Sequence, residues 1–156
     1  MAILSAFRNV PPGELQQSTI SGNNTLVAIS EFGDGTWFPQ PGQRTGYITP
    51  WPVTLGEWYM WSTGPTGTVV PVTVVIAGYR QAWNDVAPLL MTANAGPSLT
   101  TAAQGSGSSV LSGWAANSLQ ALDRWEWEIL TYSGAGSKLY LAQLLTRDTS
   151  SDFITD

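Results

Sequence analysis

Neither histidine nor cysteine occurs anywhere in the 156 residues, and the two absences remove most of the usual catalytic chemistry. Without them there is no thiolate nucleophile, no imidazole base, no Ser-His-Asp triad and no zinc site of the usual kind. With no disulfide to form, the chain fits any redox compartment. Charge is scarce too: charged residues make up 11% of the chain, where roughly a quarter is ordinary for a globular protein. The six basic residues stand singly and the formal charge is −5. No Lys/Arg stripe exists to grip a phosphate backbone, so nucleic acid is not an expected partner. Recognition of anionic lipid by a polybasic patch falls by the same argument. No apolar run approaches the ~20 residues that cross a bilayer. Met1–Val10 lacks the basic start, long apolar core and small-residue cleavage site of a signal peptide. The expected location is cytoplasmic, or outside the cell by a route without a signal peptide.

What is present is tryptophan, eight copies of it, within a chain that is 43% hydrophobic. Disordered chains show the reverse balance, few aromatics and many charges. The length fits one domain, residues 1–156, able to bury a core without disulfides or metals. Tryptophan is also a flat platform for a sugar ring, a base or a cation. The composition therefore points to a binding or structural protein with no cofactor and no catalytic residues, not to an enzyme.

Sixteen glycines and ten prolines punctuate the chain at intervals suited to turns between strands. Met1–Val10 is β-compatible and stops at Pro11-Pro12-Gly13. Thr25–Glu31 alternates and ends in a hairpin-like turn at Gly33-Asp34-Gly35. Trp37–Thr49 is interrupted by Pro39 and Pro41, which fits an irregular or edge strand. Val53–Trp61 precedes the turn Thr63-Gly64-Pro65-Thr66-Gly67. Val69–Ala77, the richest β-branched run, is expected centrally, with Pro71 near its start or at a bulge. A short helical turn after Asp85 is compatible with the sequence, although Pro88 limits it. Residues 95–113, rich in Gly, Ser, Thr and Ala, read as a long surface loop, at most with a weak strand. Trp125–Tyr132 and Lys138–Leu145, joined by Ser133-Gly134-Ala135-Gly136-Ser137, give the clearest hairpin signal. Residues 146–156 read as a polar, acidic, loosely held tail. Many short strands, frequent turns and little helical periodicity define an all-β class, a single antiparallel β-sandwich.

Tyr79, Arg80, Trp83 and Asp85 supply an aromatic face, a guanidinium and a carboxylate within seven residues. Those are the groups a sugar site needs for its C–H patch and its hydroxyls. The competing reading puts Trp83 in the core, with Arg80 and Asp85 paired locally. A second aromatic concentration is Trp51, Trp58, Tyr59 and Trp61. By alternation Trp58 and Met60 share one side and Tyr59 and Trp61 the other, one side for the core and one for a ligand or subunit. Trp125, Trp127 and Ile129 share a strand face opposite Glu126 and Glu128. Two carboxylates at that spacing, about 6.5–7 Å between Cα atoms, raise a glycosidase pair; a solvated acidic face is the preferred reading. Ile3, Leu4, Phe7 and Val10 fall on a short helical stripe that ends at Pro11-Pro12.

Three segments carry a resemblance. Trp127-Glu128-Ile129-Leu130-Thr131-Tyr132 with Gly136, Leu139 and Leu144, the Gly35-Thr36-Trp37 turn, and Val72–Leu90 with its Trp83-x-Asp85 pair resemble, in order and spacing, the fungal fruit-body lectins. The chain departs from that family at Ala77-Gly78 before Tyr79 and at Pro88. The resemblance implies an actinoporin-like β-sandwich that binds galactose/GalNAc- or GlcNAc-type glycans and self-associates. It also implies hydroxyl contacts from Asp85 and Val86 and from Thr54 to Gly56. Three functions are thus carried forward. They are a non-catalytic lectin whose partners are glycans or glycoproteins, a viral or phage structural subunit (coat, spike or decoration), and a membrane-active actinoporin relative. The N-terminal stripe is too short to favour the last, so a membrane partner is not expected.

Overall fold

The computed structural model describes residues 15–17, 25–92, 96–108 and 114–147. The N-terminal stripe, Pro11-Pro12-Gly13 and most of the acidic tail lie outside them. Eleven strands are found among the described residues: β1 (Leu15–Gln17), β2 (Thr25–Phe32), β3 (Arg44–Ile48), β4 (Val53–Thr63), β5 (Val72–Gln81), β6 (Leu89–Leu90), β7 (Ser98–Ala102), β8 (Gln104–Ser108), β9 (Ser118–Leu119), β10 (Arg124–Gly134) and β11 (Lys138–Arg147). They form two antiparallel sheets. Sheet A runs β1-β2-β11-β4-β8, with β9 also on β4, and sheet B runs β3-β10-β5-β6, with β7 also on β5.

The expected all-β sandwich is therefore present, and its strand order is specific. β6 and β7 pair with β5 at Tyr79–Arg80 and at Val72–Val75 and act as one interrupted strand. Counting that pair once and setting aside the short β1 and β9 leaves eight strands, in the orders 1-8-3-6 and 2-7-4-5. This is the double-sheet jelly roll.

The core follows from period-two alternation on both sheets. β4 turns Val53, Leu55, Trp58 and Met60 inward, and β11 turns Leu139, Leu141 and Leu145. From sheet B come Val72, Val74 and Ile76 of β5, and Trp125, Trp127 and Ile129 of β10. Trp127 meets Trp125 edge-on at 5.6 Å and 84°, and Trp114 at 5.6 Å and 64°. Tyr47 stacks on Trp125 at 4.8 Å, and its hydroxyl donates to the Ile29 carbonyl on β2, tying the sheets together. Four of the eight tryptophans, Trp58, Trp114, Trp125 and Trp127, are thus core residues.

Several expectations hold. β3 is an edge strand, β5 lies inside sheet B, and Pro71 falls just before it. Others are corrected. Residues 124–134 and 138–147 do not form a hairpin. Each strand has two edges, and those of β10 are taken by β3 and β5 while those of β11 are taken by β2 and β4. The glycine-rich link instead passes from sheet B to sheet A at one end of the sandwich. Gly136 makes that crossing because a Cβ there would sit 2.0 Å from Ser62 Oγ. The Gly33-Asp34-Gly35 turn likewise joins strands of opposite sheets, with positive φ of 77° and 90° at its two glycines. The stretch 95–113 is not one long loop, since it contains β7 and β8. Of the expected tail, Thr146 and Arg147 belong to β11. The described residues after Asp85 form no helix; turns and bends lead to Pro88, whose ring disfavours a helical residue before it.

Candidate functional site

The segment after β5 is the leading candidate by sequence, and the fold distributes its residues. Tyr79 faces outward on sheet B, beneath the Arg44 guanidinium at 5.6 Å. Burial and the Glu128 carboxylate push its phenol above the ordinary tyrosine range. Arg80, the next residue, points the other way. Its Nε donates to Asp123 Oδ2 at 2.6 Å, and the same oxygen accepts the Gln120 amide at 2.8 Å. Asp123 is buried, so Arg80 is the counter-ion that lets the turn before β10 close.

Trp83 is 75% exposed and Val86 fully so. Asp85 stands in solvent, and its backbone closes the turn through Asp85 N to Ala82 O (3.0 Å) and Gln81 Nε2 to Asp85 O (2.9 Å). Thr54 and Gly56 lie on β4 in the opposite sheet. Thr54 faces outward, and the Gly56 carbonyl is engaged by Gln143 Nε2 at 3.0 Å. The seven candidate residues therefore do not converge on one site. Glu126 and Glu128 share the outer face of sheet B as the alternation requires, and both are paired with Arg44, at 3.8 and 2.8 Å. Trp51 is half-buried against the core, with Arg147 over its ring at 4.6 Å.

Two other places gather chemistry. The first is the loop after β2. Asp34 Oδ1 accepts the amides of Thr36 (2.7 Å) and Trp37 (2.6 Å), and these bonds hold its carboxyl below the usual range. The closed turn presents Trp37, 75% exposed, beside Phe38 and over a shallow hollow of about 380 Å³ that Gln40 and Gln43 help to line.

The second is the outer face of sheet A, where β4 meets the edge strand β8. Register sets Trp61 beside Gln104, Tyr59 beside Ser106 and Glu57 beside Ser108. Tyr59 donates to Glu57 Oε2 at 2.5 Å; that bond, with burial and the carboxylate charge, raises the Tyr59 phenol pKa. On its other flank Trp61 stacks on Tyr140 of β11 at 5.2 Å and 17°. Alternation alone identifies the Tyr59/Trp61 side. Its polar wall escapes a reading by composition, because residues 104–108 look like loop. The signal that could reveal it is the alternation of Gln-Gly-Ser-Gly-Ser, which suits an edge strand.

Among the described residues no three Asp, Glu, His or Cys side chains gather as a metal site. No family model matches the chain, and no curated protein matches it. Solved structures give distant likenesses. One is to infectious bursal disease virus, Gt strain, with 13% identity and TM-score 0.36 over 90% of this chain and 38% of that one. Another is to turnip yellow mosaic virus, with 12% identity and TM-score 0.31 over 92% and 94%. A third, described as CBM4 structure and function, has 14% identity and TM-score 0.32 over 87% and 89%. With TM-scores this low, the jelly-roll assignment rests on this chain's own strand order.

Proposed function

We propose that this chain is a non-catalytic structural subunit, a jelly-roll block that associates with copies of itself into a regular shell of the viral or phage coat kind. One observation carries the reading. Large apolar side chains stand in solvent at both ends of the sandwich, on loops and strand ends of different sequence. At the end where Ile48, Arg124 and Gln81 align, Ile48, Trp83, Val86, Leu89 and Leu122 are exposed. At the end where Phe32, Leu139 and Ser62 align, Trp37, Phe38 and Val69 are exposed. Exposed apolar clusters on a charge-poor surface mark association sites. Two unlike clusters at opposite poles suit head-to-tail contacts, which close into rings or shells or run on as filaments. The assignment of a shell from a jelly roll is an analogy of fold; the two-ended distribution is the physical part.

The charges fit a subunit that does not grip nucleic acid through its described surface. Arg44, Arg80, Arg124 and Lys138 each pair with a carboxylate, and Arg147 lies over Trp51. Few cations remain to displace counterions from a phosphate backbone.

Sedimentation velocity tests the proposal. The wild type forms large, discrete species, and Trp83→Ala and Trp37→Ala each reduce them to small ones. Mixing the two variants restores a dimer, because each still carries the face that the other lacks. A wild type that stays monomeric at high concentration sinks the idea. A mixture that remains monomeric sinks the head-to-tail form of it.

A further inference from the structure

The groove between β4 and β8 has a construction that shell assembly does not use. In β8 the residues alternate as Gln104-Gly105-Ser106-Gly107-Ser108, and their two sides do different jobs. The glycines face inward, toward the packed interior. A Cβ on Gly105 would lie 2.6 Å from Leu99 Cδ2, and one on Gly107 would lie 2.6 Å from the Trp58 ring. The edge strand is therefore drawn tight against the core. Its outward side carries only short or flexible polar groups next to the large rings of β4. The result is a shallow groove of two adjoining hollows, about 370 and 240 Å³, which share Tyr59 and Ser106 as lining.

The two rings in this groove are braced by their neighbours. Trp61 is backed by Tyr140. Tyr140 in turn sits beneath Lys138, whose Nζ is fixed by Glu31 at 2.6 Å. Tyr59 is oriented by its bond to Glu57. Tyr59 and Trp61 are two residues apart on one strand face, a separation of about 6.5–7 Å, which lets two rings of one ligand each meet an aromatic. Gln104 adds an amide donor and acceptor, Ser106 and Ser108 add hydroxyls, and Glu57 adds acceptor oxygens. The nearby cation, Lys138, is already neutralised by Glu31.

We propose that this groove binds a neutral oligosaccharide lying along β4, with sugar rings against Tyr59 and Trp61 and hydroxyls toward Gln104, Ser106 and Glu57. A sugar combines an apolar C–H face with a hydroxyl rim, and the groove presents the complement of both. An acidic glycan meets the Glu57 carboxylate, while the nearby Lys138 is already committed to Glu31. A purely apolar ligand leaves Gln104 and the serines without partners.

The test is an array carrying neutral oligosaccharides (gluco-, xylo-, galacto- and N-acetylglucosamine series) and acidic ones. It is followed by titration of the best neutral ligand, read by tryptophan fluorescence. The wild type binds within the neutral set. Trp61→Ala weakens binding about tenfold or more, the loss of one aromatic contact. Gln104→Ala, an exposed edge substitution that leaves the core intact, weakens it several-fold. Asp85→Ala and Tyr79→Phe, both outside the groove, leave it unchanged. If Trp61→Ala fails to fold, Gln104→Ala alone decides. A blank neutral set, binding confined to acidic glycans, or affinity indifferent to Gln104→Ala overturns the assignment. Loss of binding with Asp85→Ala but not with Gln104→Ala moves the site to the loop after β5. The sedimentation of Gln104→Ala stays that of the wild type, so the groove and the assembly contacts are separable.

Discussion

The outer faces of the two sheets make an instructive pair. Both are built by the same alternation, inward apolar and outward free, on the same jelly roll. Sheet B puts Arg44, Arg124, Glu126, Glu128 and Tyr79 outward, and these close into one charged network. Sheet A puts Tyr59, Trp61 and Tyr140 outward, and its edge is serine and glutamine. One face is a continuous charged network; the other is a row of rings with neutral hydrogen-bonding groups along its edge and only Glu57 and the Glu31–Lys138 pair as charges beside them. The difference lies not in how the strands alternate but in which strands are neighbours. Arg44 and Glu128 are 84 residues apart in the chain, and only their pairing across β3 and β10 makes them a unit.

The comparison can be broken at its base. Trp127 is fully buried and contacts both Trp125 and Trp114. Trp127→Ala should cost about 3–5 kcal/mol, seen in chemical denaturation as a lower midpoint with both faces lost together. Arg80→Ala comes next, because it leaves the buried Asp123 carboxylate without its counter-ion; roughly 3 kcal/mol is expected. If that loss is instead a few tenths, Arg80 is free to serve as a ligand contact. Gly107→Ala acts on sheet A alone. The new methyl meets the Trp58 ring, so a destabilisation of about 1–3 kcal/mol is expected, together with an altered groove and no change in the Arg44 network by NMR.

Arg44→Ala acts on sheet B alone. Arg44 is half-exposed, and its removal should cost only about 0.5 kcal/mol, a difference that shrinks at high salt. The smallest effect is a titration. The Tyr59 pKa is raised chiefly by its hydrogen bond to Glu57. A group whose pKa is higher in the folded state adds stability that is fully present below the unfolded value, near 10.0. That stability is lost as the pH climbs through the raised value. Glu57→Gln should move the Tyr59 transition, followed by tyrosinate absorbance, back toward 10.0. An unmoved transition refutes the link between the two side chains.

Much of the fold is legible in particular residues. The alternation in 53–61 puts Trp58 and Met60 inside and Tyr59 and Trp61 outside, and that in 125–129 separates the tryptophans from the glutamates, as the structure has them. The failures share a cause. The Gly-rich link at 133–137 looks like a hairpin because adjacent strands joined by a short turn usually pair. Here both strands are already flanked, and the link spans the sandwich instead. Tyr79, Arg80, Trp83 and Asp85 look like a site because they are close in sequence, but alternation sends Tyr79 and Arg80 to opposite sides of sheet B. The groove wall at 104–108 is hidden by composition, since glycine and serine read as loop until the edge of β4 gives them a partner.

Composition and alternation suffice for the all-β class, for the set of side chains that must be buried, and for the lack of histidine and cysteine chemistry. Those properties follow from composition and from a two-residue period, both of which are local. Which strand lies beside which follows only from how the two sheets pack. That packing sets Arg80 against Asp123, Trp61 between Tyr140 and Gln104, and β10 and β11 in different sheets. The cost of closing a loop grows only slowly with its length, so near and distant partners compete on almost equal terms. Packing of the whole core, not any local signal, selects among them.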